Sequence, residues 1–379
     1  MKNGTFIGAI IQMQFIPRWS EFAPRFEDTA SSHSFRCGVL ALLVGIAEER
    51  IFGQPIDRQQ LLGRALWGDL NNTGTGSIKH VTKKEHLLSE HIRTVEHEVS
   101  KEIVTYLSRS LQSAASDYIV NARDATRVGR LVDAIDTFDA LLFCYREAQQ
   151  QPGSYFAGKF AELHAAMQET PFASIRWLLD EFDKREGLYE FLLHMIHLDT
   201  VKRWNGSYNL VPDNDATHSF RVASLALFNG LLEKLKFGHA DLDLYRLTGK
   251  ALLHDLPEAL CGDVVTNFKN TNPSIKKAFE AYEKSTAQSM IAKLPEPLHA
   301  DLTDLMVECK SDDDEGRLVD IADKLDALIK ANMEMRNNPR YVETFHQQLI
   351  KVQISYENPC VIFFLAYILH DLTYTHSIR

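Results

Sequence analysis

The chain repeats itself, and this limits its fold more than any other feature. Pro17-Arg18-Trp19 is answered by Lys202-Arg203-Trp204, His33-Ser34-Phe35-Arg36 by His218-Ser219-Phe220-Arg221, and Phe52-Gly53 by Phe237-Gly238, all at one shift of 185 residues. Ala65-Leu66-Trp67-Gly68-Asp69-Leu70 is then answered by Ala251-Leu252-Leu253-His254-Asp255-Leu256 at 186, and the segment from Arg130 to Leu141 by that from Arg317 to Leu328 at 187. Five blocks in one order, with two single-residue gaps, mark a tandem duplication. Each copy is long enough to be a domain. We expect domains at residues 1–165 and 175–379, joined between Gln150 and Phe182.

Both copies read as helix. Apolar residues recur at spacings of three and four in Val222 to Leu235, Leu244 to Leu253 and Leu318 to Ile329. Gly206, Pro212, Gly238, Pro257, Gly262 and Pro273 fall between these runs. No pair of alternating strands stands out. GxGxxG and Walker A patterns are absent, which argues against a dinucleotide or P-loop enzyme. The expected fold is all-α: two tandem helical bundles related by internal duplication. The apolar N-terminus resembles a short signal segment, but no small-residue cleavage site follows and Gln12, Gln14 and Arg18 arrive early. An amphipathic first helix is expected instead. The run Cys360 to Leu369 is too short to span a bilayer and is expected to be a buried C-terminal helix.

Composition narrows the partners. Acidic residues outnumber basic ones 51 to 41, for a formal charge of −10, which disfavours nucleic-acid binding through a broad basic surface. No membrane partner is expected. Cys37, Cys144, Cys261, Cys309 and Cys360 are odd in number, far apart and in no CxxC pattern, as expected of reduced thiols in a cytoplasmic protein.

The chemistry is concentrated in the second copy. His254-Asp255 lies inside an apolar run, where burying a carboxylate is costly unless a cation or donor meets it. His218 lies upstream and Asp323 downstream, each on an expected helix. Two imidazoles and two carboxylates form a ligand set for Mn, Co, Fe, Ni or Zn. Adjacent helix positions differ by about 100° in direction, so His254 and Asp255 can share an ion only at a helix edge. Asp323 falls at the border of a buried face, while Asp320 and Asp326 read as a solvated face or salt-bridge partners. A bound divalent ion can lower the pKa of its water from about 15.7 to about 7, which supplies hydroxide at neutral pH. Only His299 occurs between Asp255 and Asp323, so one ion is expected rather than two.

These residues resemble the HD-domain superfamily of metal-dependent phosphohydrolases, and within it the YfbR-like 5′-deoxynucleotidases. The resemblance runs from about Leu188 to Tyr356. It is carried by Arg203-Trp204, His218-Ser219, His254-Asp255 with Glu258, Gly262-Asp263 with Thr266 and Lys269, and Ala322-Asp323. It extends more weakly over the first copy, from about Gly8 to Glu147. The resemblance implies removal of the 5′-phosphate of (deoxy)nucleoside monophosphates by attack of metal-bound water. It assigns the ion to His218, His254, Asp255 and Asp323. It makes Glu258 a general acid or proton relay and Arg203 the phosphate clamp. Asp263 would steady the water or a substrate group, and Trp204 would lie against the sugar unless it is plain core packing. Thr266 and Lys269 would touch substrate. Hydrolysis of another nucleotide phosphate (a dNTP or cyclic nucleotide) and a non-catalytic nucleotide sensor remain as alternatives.

The first copy has decayed. Gly68 replaces the doublet histidine and Asn72 stands where Glu258 stands, while His33, Asp69, Asp136, Arg18 and Trp19 remain. Catalysis is expected to be lost there, with room for weak metal or nucleotide binding. His80, His86, His91 and His97 read as surface residues, His194 and His197 as structural, and His370-Asp371 as a chance HD dipeptide. Single-domain members of the family are commonly homodimers. The two copies are therefore expected to form a pseudo-dimer within one chain, which could assemble further.

Overall fold

A computed structural model describes residues 3–78, 82, 83, 85–264, 268, 271–372 and 374. Among the described residues there are helices and no strands. Two isolated bridges, Pro17 to Thr29 and Lys202 to Asn214, sit at equivalent places in the two repeats.

Each repeat is built on the same three-helix frame. In the first, Ala30–Arg50, Arg58–Trp67 and Arg127–Gln150 pack together; in the second, Asp215–Leu235, Leu244–Leu253 and Asp314–Met335 do. The caps match in pairs: Thr29 and Asn214, Asp57 and Asp243, Thr126 and Asp313 each accept a hydrogen bond from the otherwise unpaired amide three residues on. The buried polar groups match as well. Glu147 accepts the amides of Arg25 and Phe26 at 2.9 and 2.8 Å, and Glu334 those of Leu210 and Val211 at the same distances. Trp19 and Trp204 both adopt left-handed backbone, with φ of 59° and 60°. An outer helix then lies on each long third helix: Tyr155–Gln168 on the first, Tyr341–Ser355 on the second.

The repeats meet along Ala30–Arg50 and Asp215–Leu235, which lie against each other. Ser31 and Thr217 hydroxyls bond across the seam at 3.1 Å. Leu244–Leu253 presses on Ala30–Arg50 so closely that a Cβ at Gly38 would lie 2.8 Å from Leu252 Cδ2. The polar contacts are reciprocal. Arg36 Nη1 donates to Asp199 at 2.7 Å, and Arg221 Nη1 donates to Gln14 at 2.7 Å, residues 14 and 199 being equivalent. Reciprocity of this kind marks a two-fold interface, here contained in one chain.

Two sequence expectations need correction. Asn3–Gln12 is not amphipathic but buried almost all round. It is wedged into the seam, with the Phe6 ring 5.2 Å from Trp67 of one repeat and 5.9 Å from Phe228 of the other. The C-terminal helix Pro359–Tyr367 buries Cys360, Val361, Phe363 and Phe364 but leaves Ile362 and Tyr367 about three-fifths exposed. Ala30–Arg50 is long and apolar enough to cross a bilayer, yet it is enclosed by the bundle on every side. All five cysteines are free thiols.

Candidate metal centre

The Asn214 cap starts the Asp215–Leu235 helix and places His218 one turn in, where it is buried. Its Nδ1 lies 2.8 Å from Asp326 Oδ2 on the facing Asp314–Met335 helix. Arg221, one turn further on, grips the same carboxylate through Nε at 2.6 Å and Nη2 at 2.9 Å, and also bonds Asp213. Asp326 is therefore buried rather than solvated. As a salt-bridge partner it fixes the imidazole and turns Nε2 towards the pocket. Asp320 accepts from the Tyr356 hydroxyl at the rim.

The doublet is not on a helix. Leu244–Leu253 ends just before it, His254 is the C-cap, and Asp255 lies in the following turn, which frees the two side chains from the 100° helical offset. His254 Nδ1 is 2.8 Å from the Ala251 carbonyl. A carbonyl only accepts, so Nδ1 donates and Nε2 is left facing the pocket. His218 Nε2 and His254 Nε2 each lie 3.3 Å from Asp255 Oδ2, and His218 Nε2 lies 3.5 Å from Asp323 Oδ1. Lys310 and Lys324 hold the other oxygen of Asp323 at 2.8 and 3.0 Å.

One donor atom each from His218, His254 and Asp323 lies within 4.8 Å of the others. Among the described residues, both Nε2 atoms are buried and make no well-directed hydrogen bond. Leaving a buried polar atom unsatisfied costs about 1–3 kcal/mol, a cost that a shared cation removes. These donors fit a divalent ion of the borderline class.

On the other side of Asp255 lies a second set of acids. Asp215, Asp255 and Glu258 each bring a carboxylate oxygen within 4.8 Å of the others. Arg203 Nη1 sits among them, 2.9 Å from Asp215, 3.0 Å from Asp255 and 3.8 Å from Glu258. Burial works against charge on Asp255, but His254 and His218 hold its carboxyl well below the usual range. Burial pushes Asp215 up to about 7 with help from Asp255, even against Arg203. Burial, then Asp255 and Asp215, raise the Glu258 carboxyl well above its ordinary value. Sequence reasoning missed Asp215; its one available signal was that Ala30 stands at the equivalent place in the first repeat.

The remaining expected residues are placed unevenly. Asp263 follows Gly262, whose φ is +72°, and its charge bears on both Arg203 and Glu258. Trp204 is half-buried, with its ring 6.1 Å from Tyr341. Thr266, Lys269 and His80 lie outside the described residues. His86, His91, His97, His370 and Asp371 are exposed.

The comparisons with known proteins agree with this geometry. The family model described as 5′-deoxynucleotidase YfbR-like matches the chain twice, over residues 5–185 and 190–372. A 5′-deoxynucleotidase of Vibrio cholerae is 30% identical over 145 residues, covering 38% of this chain and 74% of its own. A 5′-deoxynucleotidase of Shewanella oneidensis is 29% identical over 172 residues, 45% of this chain and 88% of its own. An HD-domain phosphohydrolase of Listeria innocua has 26% identity and a TM-score of 0.45, covering 49% of this chain and 89% of its own. The double match to this family model and these relatives place the chain among phosphohydrolase enzymes. More particularly, the chain belongs to the YfbR-like 5′-deoxynucleotidase family and carries that unit twice in tandem.

Proposed function

We propose that the second repeat removes the 5′-phosphate of deoxynucleoside monophosphates. The observation that carries this reading is the convergence of His218, His254, Asp255 and Asp323 beside Arg203 and the buried Glu258. The names of the relatives, 5′-deoxynucleotidases, support the substrate class.

His218, His254, Asp255 and Asp323 would hold one divalent ion, with Co, Mn, Fe, Ni and Zn all compatible with the donors. Such an ion acidifies bound water and polarises a phosphoryl oxygen. Arg203 points one edge of its guanidinium at Asp215 and Asp255, which holds it in place. Its remaining N–H groups would bind phosphate oxygens, which a planar fork suits better than a point charge. Glu258, whose carboxyl is raised by burial and by the neighbouring Asp255 and Asp215, would protonate the leaving 5′-oxygen or relay a proton from the water. Asp263 would orient the water or a substrate hydroxyl. Trp204 would lie against the sugar, with Thr266 and Lys269 contacting substrate further out. The first repeat would serve as the fixed half of an intrachain pseudo-dimer, and a cytoplasmic setting suits its free thiols.

Phosphate release from dAMP, with Asp255→Ala as the inactive control, tests the reading. Equal release by the variant would overturn it.

A further inference from the structure

The first repeat keeps the pocket of the second but fills it differently. His33 stands where His218 stands, Asp69 where Asp255 does, Asp136 where Asp323 does, and Gly68 where His254 does. Gly68 offers no imidazole, and the space for one is closed: an added Cβ would lie 2.9 Å from Ala122 Cβ. Arg123 occupies the position of Lys310, at a shift of 187 residues. Lys310 touches the Oδ2 of Asp323 and leaves Oδ1 facing His218. Arg123 instead runs its guanidinium along the acids. Nη1 lies 2.8 Å from Asp69 Oδ1, Nε 3.2 Å from Asp133 Oδ1 and Nη2 3.7 Å from Asp136 Oδ1.

The histidine differs in the same sense. His33 Nε2 is 2.7 Å from Asp136 Oδ1 and 3.1 Å from Asp69 Oδ2, and its Nδ1 is 2.6 Å from Asp139 Oδ2. Ionised carboxylates only accept, so Nδ1 is a donor to Asp139, and Nε2 is drawn into close contact with two further carboxylates. In the second repeat the equivalent contacts of His218 Nε2 are longer, at 3.3 and 3.5 Å, and the His218 and His254 Nε2 atoms make no directed bond among the described residues. Cys37 also lies beside His33 and Asp136, one donor atom of each within 4.8 Å of the others, but burial pushes its thiol up to about 11 against the pull of His33. The first-repeat residues thus do not fit the ion that the family implies.

We infer that the Arg123 guanidinium is the resident cation of the first repeat, neutralising Asp69, Asp133 and Asp136 in place of a divalent ion, so that each chain takes up one ion and not two. A guanidinium suits the task. It is always charged, and its five N–H donors in a plane can serve several carboxylates at once. The first repeat then folds without metal and gives the second a partner surface that does not depend on ion supply. The inference rests on the reading of the second repeat as the metal centre.

The test is to count Mn²⁺ bound per full-length chain, by the electron paramagnetic resonance of the free ion. The expected count is one in the unaltered chain and none in Asp255→Ala. Adding Arg123→Met to Asp255→Ala is expected to restore binding, because the carboxylates of Asp69, Asp133 and Asp136 are then left without their cation. Two ions per chain, with one lost in Asp136→Ala, would overturn the inference. So would a folded Arg123→Met, Asp255→Ala chain that binds none. If that chain does not fold, the count on the unaltered chain decides. A count of zero there would sink the metal-centre reading of the second repeat, while the empty first repeat would still support the role of Arg123.

Discussion

Asp326 offers the sharpest test of how the second repeat holds its ion. Its carboxylate takes His218 Nδ1 on one oxygen and Arg221 Nε on the other, at 2.8 and 2.6 Å, with no water access. Asp326→Asn keeps the volume but loses the charge, and its amide NH₂ must face one of two donors. Removing a group that orients a ligating histidine typically weakens metal binding about 10–100-fold, or roughly 1.4–2.7 kcal/mol at 1.36 kcal/mol per decade. Breaking a buried ion pair can cost about 3–5 kcal/mol. Here the loss should be smaller, because Arg221 keeps Asp213 at 3.0 Å through both Nη atoms. The equivalent Asp139→Asn is the internal control: that carboxylate also bonds a histidine and an arginine, His33 and Arg36, in a repeat expected to bind no ion. Mn²⁺ titration and thermal melting of both variants give the readout. Asp326→Asn should lose affinity and stability, and Asp139→Asn stability alone. A folded Asp326→Asn protein with unchanged Mn²⁺ affinity would refute the reasoning.

Other outcomes follow from the same contacts. Arg203→Met should lower kcat/KM by about 10–100-fold, as expected for losing charged hydrogen bonds of about 1.5–3 kcal/mol; steady-state kinetics on a deoxynucleotide checks it. Gln14→Ala removes the cross-repeat bond to Arg221 at 2.7 Å and should lower the melting temperature, although residue 14 lies in the other repeat. Stripping the ion with a chelator should lower stability by about 2.7 kcal/mol relative to protein at a metal concentration 100 times Kd. Asp313→Ala removes the cap of the Asp314–Met335 helix and should cost about 1 kcal/mol at neutral pH. Burial opposes the Asp313 charge, but the Gly316 amide, Ser311 and Arg246 together outweigh it and hold its carboxyl below the usual range. A carboxyl depressed on folding stabilises above its unfolded value near 3.9 and loses that contribution as pH falls further. The gap between variant and parent melting curves should therefore narrow below about pH 4.

Much of this architecture was legible because the chain could be compared with itself. The five matched blocks anticipated two copies of one helical unit, and the three- and four-residue periodicity located the helices that frame the pocket. What periodicity reads is a helix with one buried side. It therefore misread Asn3–Gln12, which is buried by both repeats at once, and did not separate a solvated Asp326 from the salt-bridge partner it is, because its burial depends on Arg221 arriving from another helix. The sequence signal for Asp326 was its persistence as Asp139 in the first repeat, together with the persistence of the arginine in His-Ser-Phe-Arg. The local stop of the Leu244–Leu253 helix also escaped notice, because the apolar run continues through Leu256. Asp215 and Arg123 had no such signal, since each differs between the repeats. Their meaning emerges only from which acids and cations lie beside them.

The most direct test of the whole account is phosphate release from dAMP and AMP measured side by side, with protein stripped and reloaded with Co²⁺ or Mn²⁺ and Asp255→Ala as control. Release from dAMP in preference to AMP, abolished in the variant and by metal removal, is the predicted result. Metal-loaded protein that releases phosphate from neither nucleotide, or a variant as active as its parent, would contradict it.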